Sequence, residues 1–320
     1  MRIVAFGGGH GLAATLRALH LLSAEADFVI TAVVTIADDG GSSGRLRADR
    51  GVLPPGDLRQ ALVALAADDP LSLRTAELLQ HRFGPVLPGT NDSVAGHAVG
   101  NLLLCGLMEL YGDPVAALDH AGALLRTDGR VLPMSREPVA IEADIRGADP
   151  TRPDDVVQVT GQHAVAVAPG RLETVRLTPD APPACAEAIA AIRTADWLIF
   201  GPGSWYTSVI PHLLVPELAA AAVASPARRL VLLNLATEIE TVGLSLAGHL
   251  GALARYAPKL HIDRVLADTL AVGNPQPVER AAESLGARLV LDRVAVPGSA
   301  PRHDPVALAA ALVPVLGAAR

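Results

Sequence analysis

Four glycines in five residues, Gly7-Gly8-Gly9-His10-Gly11, separate the apolar run Ile3–Phe6 from an Ala/Leu-rich stretch. Glycine lets a backbone approach an anion closely, and the unpaired N–H groups that open a helix point at it, so this layout suits a phosphate cradle. A tight strand-to-helix turn alone needs one or two glycines. The spacing is neither G-x-G-x-x-G nor a P-loop ending in GK[ST]. Gly8, Gly9, His10 and Gly11 are therefore candidate ligand contacts through backbone amides.

A second constellation runs from Asp38 to Arg47 and reads Asp-Asp-Gly-Gly-Ser-Ser-Gly-Arg-Leu-Arg. Adjacent carboxylates can ligate Mg²⁺ through oxygen, or one can hold a ribose or substrate hydroxyl. Asp38 and Asp39 are the candidate metal ligands. The glycines and serines after them, Ser42 and Ser43 included, read as a flexible loop, with Arg45 and Arg47 able to fork onto a phosphate. A solvated turn is the plain alternative, since Asp and Gly suit turns.

The third constellation, Gly201-Pro202-Gly203-Ser204, follows another apolar run and precedes a helical stretch, with Asn234 at the end of the next strand. Gly201, Gly203, Ser204 and Asn234 could contact an anion or a sugar hydroxyl, although a serine cap accounts for Ser204 as well. The G-x-S-x-G of a nucleophile elbow is absent, so a serine hydrolase is not indicated. His97 and Asn101 lie four apart and share a helical face if the helix starts early. Arg59 sits one turn into a helix that Asp57 is placed to cap. His303, between Arg302 and Asp304, is a weaker candidate. Trp205 and Tyr206 are expected in the core.

These residues need a scaffold that brings strand ends together. Short apolar strands, Ile3–Phe6, Phe28–Ile36, Trp197–Phe200, Leu230–Leu233, Arg264–Ala267 and Leu289–Leu291, alternate with helices, among them Leu71–His81, Val99–Tyr111, Pro114–Leu125 and Pro182–Thr194. The pattern predicts an α/β, Rossmann-like fold with a mostly parallel sheet and helices on both faces. Between about 131 and 177 the texture changes to period-two stretches with Gly and Pro turns, read as a small antiparallel β insertion within a single nucleotide-binding domain of 1–320.

Half of the residues are hydrophobic but only 3% are aromatic, so the core must be built from Ala, Leu, Val and Ile. The net charge is −7 with no basic stripe, which argues against nucleic acid as a partner. No apolar run is long enough to span a membrane and no signal layout opens the chain, which predicts a soluble, cytoplasmic protein. Cys105 and Cys185 sit in apolar stretches without metal-ligand spacing and read as buried small hydrophobes. Apolar Ala/Leu helix surfaces leave room for a homodimer.

In order along nearly the whole chain, the strings Gly7–Leu12, Thr35–Arg47, Leu53–Arg59, Ala95–Leu102 and Gly201–Ser208 resemble the gluconeogenesis factor family (YvcK type). That family is similar to the 2-phospho-lactate transferases (CofD), which move a phospholactyl group onto a deazaflavin alcohol with Mg²⁺. The resemblance implies a nucleotide-binding domain for UDP-sugars such as UDP-N-acetylglucosamine. It also implies a role in cell shape and envelope maintenance during gluconeogenic growth, through a cell-wall regulatory partner. Gly7–Gly11 and Gly201–Ser204 would border the ligand, Asp38 and Asp39 fall where the transferases bind metal or acceptor, and Arg59 falls near their acceptor-site arginine. His10 stands where the family commonly has Thr. Asn234–Thr241 matches the family's loop only in part, and an aromatic expected between Pro275 and Gly286 is absent.

Overall fold

A computed structural model of the chain describes residues 1–24, 27–84, 93–236, 241, 244–298 and 301–317. In chain order the strands are β1 (Arg2–Gly7), β2 (Val29–Val34), β3 (Arg130–Pro133), β4 (Ala140–Arg146), β5 (Val156–Thr160), β6 (Arg171–Thr178), β7 (Trp197–Phe200), β8 (Arg228–Leu232), β9 (Arg264–Asp268) and β10 (Arg288–Asp292). Seven of them form one parallel sheet in the order β10-β9-β8-β7-β1-β2-β3, and β5-β4-β6 form a small antiparallel sheet. Helices surround the larger sheet, as the apolar, two-sided burial of β1 and β7 demands.

The first strand lies inside this sheet; the chain builds outward from it through β2 and β3, then returns to the other side of β1 with β7 and builds outward again through β8, β9 and β10. The direction of winding therefore reverses between β1 and β7. Loops leaving the C-terminal ends of these two strands go to opposite faces, and a crevice must open between them. Beneath that crevice Phe6 and Phe200, paired across the two strands, stack at 4.8 Å between ring centroids. Two of the chain's few aromatics thus fill the floor of the switch point.

Helix α1 (Gly9–Ser23) follows β1, and α2 (Gly41–Arg50), α3 (Pro55–Ala64), α4 (Pro70–Gln80), α5 (Val99–Tyr111) and α6 (Pro114–Leu125) follow β2. Helix α7 (Gln162–Val167) lies within the antiparallel unit, and α8 (Ala186–Arg193) precedes β7.

Four expectations need correction. The Gly/Ser stretch after Asp39 is not a flexible loop but α2. It forms because Ser42 and Ser43 are buried against neighbouring helices, a tertiary gain that outweighs poor helix propensity. The strand beginning at Arg130 belongs to the large sheet beside β2, so the antiparallel unit starts at Ala140. Asp57 does not cap α3. Pro54 occupies the cap position, and Asp57 sits inside the first turn. Finally, α8 starts at Ala186, after the Pro182-Pro183 pair, rather than at Pro182.

Trp205 and Tyr206 are buried, as are both cysteines, which are free thiols. Among the described residues no single helix is long and apolar enough to cross a membrane.

Candidate functional site

The crevice at the switch point is a cleft of about 570 Å³. Its rim is built from the ends of four consecutive strands: Gly8–Gly11 after β1, Asp38 after β2, Pro202–Ser204 after β7 and Asn234–Ala236 after β8. Arg302 and His303 reach in from the segment after β10, and Gln162 from α7.

Each glycine of the β1 loop answers a separate constraint. Gly9 has φ +57°, a left-handed conformation that a side chain resists. A Cβ on Gly11 would collide with the Pro202 carbonyl and come within 2.9 Å of the Gly203 Cα, so the two glycine loops approach at backbone distance. A Cβ on Gly8 would strike the Asp57 carboxylate. No side chain caps α1 and no acidic residue lies in its first turn. Its opening N–H groups therefore carry the positive end of the helix dipole toward the cleft.

On the opposite wall Asn234 fixes Gly203 from both sides: the Gly203 N–H donates to Oδ1 at 3.0 Å, and Nδ2 donates to the Gly203 carbonyl at 2.9 Å. Asp268, at the end of β9, positions the segment that carries Arg302 and His303. Its Oδ2 accepts N–H bonds from Val294 and Ala295 at 2.9 and 3.2 Å, and Ala295 bridges to His303. Burial holds His303 below the usual histidine range, so it is neutral at pH 7. Gln162 donates through Nε2 to the Thr207 carbonyl, while its Oε1 is buried in the cleft wall with no hydrogen-bond partner among the described residues. A ligand hydroxyl or amide N–H would satisfy that oxygen.

The acidic pair of the cleft is Asp38 with Asp57, not Asp38 with Asp39. Asp38 accepts the Gly40 N–H at 3.0 Å and lines the cleft. Asp39 is exposed and turns away, accepting the His163 N–H at 2.8 Å at the start of α7. Asp57, buried in the cleft wall, is pushed up to about 7, first by loss of hydration and then by the nearby Asp38 carboxylate; a bond from Gly9 N–H and the Arg59 charge oppose the rise. Sequence reasoning missed Asp57 as a cleft residue because an acid two residues after Pro-Pro reads as a helix cap.

The remaining candidates cluster behind the cleft. Asn101 Nδ2 donates to Ser42 Oγ at 2.9 Å, Ser42 Oγ pairs with His97 Nδ1 at 2.9 Å, and Arg59 Nε donates to Asn101 Oδ1 at 2.8 Å. Burial, and then the Arg45 charge, keep His97 below its usual range. Ser43 Oγ accepts the Gly56 N–H at 3.0 Å, and Arg45 donates to the Ala95 carbonyl at 2.8 Å. None of Ser42, Ser43, Arg45, Arg59, His97 and Asn101 lines the cleft, and neither does Gly201. They dock α2, α3 and α5 to one another and so hold the Asp38 and Asp57 segments. Of the Asn234–Thr241 loop, residues 237–240 lie outside the described residues.

A cleft at the winding reversal of a doubly wound, parallel sheet defines a Rossmann-like α/β protein. The chain belongs to the CofD family: the family model described as 2-phospho-L-lactate transferase CofD matches residues 3–299. A Mycobacterium tuberculosis relative carrying the gluconeogenesis factor name is 49% identical over 314 residues, covering 97% of this chain and 89% of that one. The gluconeogenesis factor of Bacillus subtilis is 36% identical over 290 residues, 90% of this chain and 84% of the other. The crystal structure of a Bacillus halodurans member of the upf0052 family superposes with a TM-score of 0.83 at 33% identity, over 98% of both chains.

Proposed function

We propose that the cleft binds a nucleoside-diphosphate sugar, of the UDP-N-acetylglucosamine kind. In this reading the chain is a ligand-dependent factor for cell shape and envelope maintenance during gluconeogenic growth, acting in the cytoplasm on a cell-wall regulatory partner. One observation carries the reading: the start of α1 at His10 and Gly11 and the Gly203–Ser204 loop line a single cleft with Asp38, where the uncapped N–H groups of the helix start can hold a diphosphate. Arg302 supplies a cation to that anion, and Gln162 Oε1 an acceptor for a sugar hydroxyl.

The second reading is a Mg²⁺-dependent 2-phospho-L-lactate transferase-type enzyme acting on a deazaflavin. The family name and the Asp38–Asp57 pair favour it. Two carboxylates completed by ligand phosphates and water are a common Mg²⁺ environment, and the ion would neutralise charge on a transferring phosphoryl group. Against it, a tricyclic acceptor needs a broad flat apolar face, whereas the described cleft residues are mainly small or polar.

Calorimetry with UDP-N-acetylglucosamine, run beside a turnover assay with a nucleotide-activated lactyl donor and deazaflavin, separates the two. Heat without turnover is expected, and multiple turnovers would retire the binding-factor reading. Asp38→Asn is expected to leave sugar-nucleotide binding at least as tight as in the parent, because the amide cradle does not depend on that charge and its loss relieves repulsion of the phosphates.

A further inference from the structure

A second cavity of about 520 Å³ lies on the other side of the first turn of α1, and His10 and Ala14 line both spaces. Three arginines from three elements line it: Arg17 of α1, Arg59 of α3 and Arg82 just after α4. Gln60 and Gln80 complete the polar wall, and no acidic side chain and no Phe, Tyr or Trp is among its described lining residues.

Each arginine is pinned by an interaction of its own. Arg17 reaches Asp68 at 2.6 Å, Arg59 donates through Nε to Asn101, and Arg82 donates to the Gly96 carbonyl. Asp68 is half exposed and does not line the cavity, so it offsets the field there only in part. Arg59 is buried, and burial followed by the Arg82 charge makes its protonated form less comfortable than usual. Like charges gathered around a concave, partly desolvated space gain most from an anion placed between them.

We propose that this cavity is a second ligand site, separate from the sugar-nucleotide cleft, for a compact polyanion carrying at least two phosphate or carboxylate groups. Guanidiniums presented by three separate elements match several separated anionic groups better than a single one. With the His10 imidazole as the single ring among its described lining residues, the cavity has no pair of aromatic faces to sandwich a nucleobase. Because His10 belongs to both walls, a polyanion seated here is the immediate neighbour of whatever fills the first cleft.

The test is calorimetric titration of inorganic pyrophosphate at low ionic strength into the full chain carrying Arg302→Glu, which places a carboxylate in the first cleft. Pyrophosphate is expected to bind, and adding Arg82→Glu is expected to weaken it at least tenfold. Arg17→Gln, at a partly exposed helix position, is the second variant and is expected to weaken it several-fold. Circular dichroism checks that each variant is folded. No heat in the Arg302→Glu background overturns the proposal, and so does heat indifferent to both arginine changes. Neither arm uses a sugar nucleotide, so a failure of that reading leaves this result readable.

Discussion

Asp57 sets the pH behaviour of the cleft. Its carboxyl stays protonated in the folded chain up to about pH 7, against an ordinary value of 3.8. Between those values the unfolded chain has released this proton while the folded chain retains it. Stability from this group is therefore fully present below about pH 4 and is lost as pH rises toward 7, by up to about 4 kcal/mol. Asp57→Asn, which is neutral throughout, is expected to flatten this part of the stability–pH curve and to melt higher than the parent at pH 8. A denaturation series from pH 4 to 8 reads both. Ligand affinity should follow the same titration. A charged Asp57 beside Asp38 repels phosphate, so sugar-nucleotide binding is expected to weaken as pH rises through 7 in the parent but not in Asp57→Asn. An affinity that is level across this range in the parent would count against Asp57 facing the ligand.

At the scale of elements, the cleft depends on two supports that never touch its interior in the same way. Helix α2 is anchored by Ser42, whose hydroxyl serves both Asn101 and His97. Ser42→Ala strands both partners in a buried setting and is expected to cost about 1–3 kcal/mol of stability, read from chemical denaturation. The Gly203 loop is held instead by the two bonds from Asn234. Asn234→Ala is expected to cost about 1–2 kcal/mol and to weaken sugar-nucleotide binding more than Ser42→Ala does, because Gly203 itself lines the cleft. Calorimetry on the two variants side by side checks the order. The reverse order would place the ligand nearer α2 than the cleft.

For the molecule as a whole, the wall of the cleft is assembled from segments as far apart in sequence as Gly8 and His303. A ligand that bridges them binds only the folded chain. UDP-N-acetylglucosamine at about 100 times its dissociation constant should then add about 2.7 kcal/mol of stability, visible as a rise in melting temperature that grows with ligand concentration. Magnesium added alone is expected to raise it less, since the carboxylate pair lacks the phosphates that would complete its shell.

How much of this was legible in the sequence follows from which forces are local. The strands Trp197–Phe200 and Arg264–Ala267, helices α5 and α6, and the glycine loops after β1 and β7 could all be read directly. Apolar runs, proline starts and glycine clusters act on their own neighbourhood and need no distant partner. The winding reversal that brings Gly11 against Pro202 depends on the order of strands in the sheet, which no local pattern encodes. The same holds for α2, whose weak helix formers are kept helical by buried serine contacts, and for β3, which pairs with β2 across about a hundred residues of chain. Asp39 and Asp57 traded places for the same reason. Sequence supplies the carboxylates, but which one faces Asp38 was decided by how α2 and α3 pack, since burial and neighbouring charge exist only once the chain has folded.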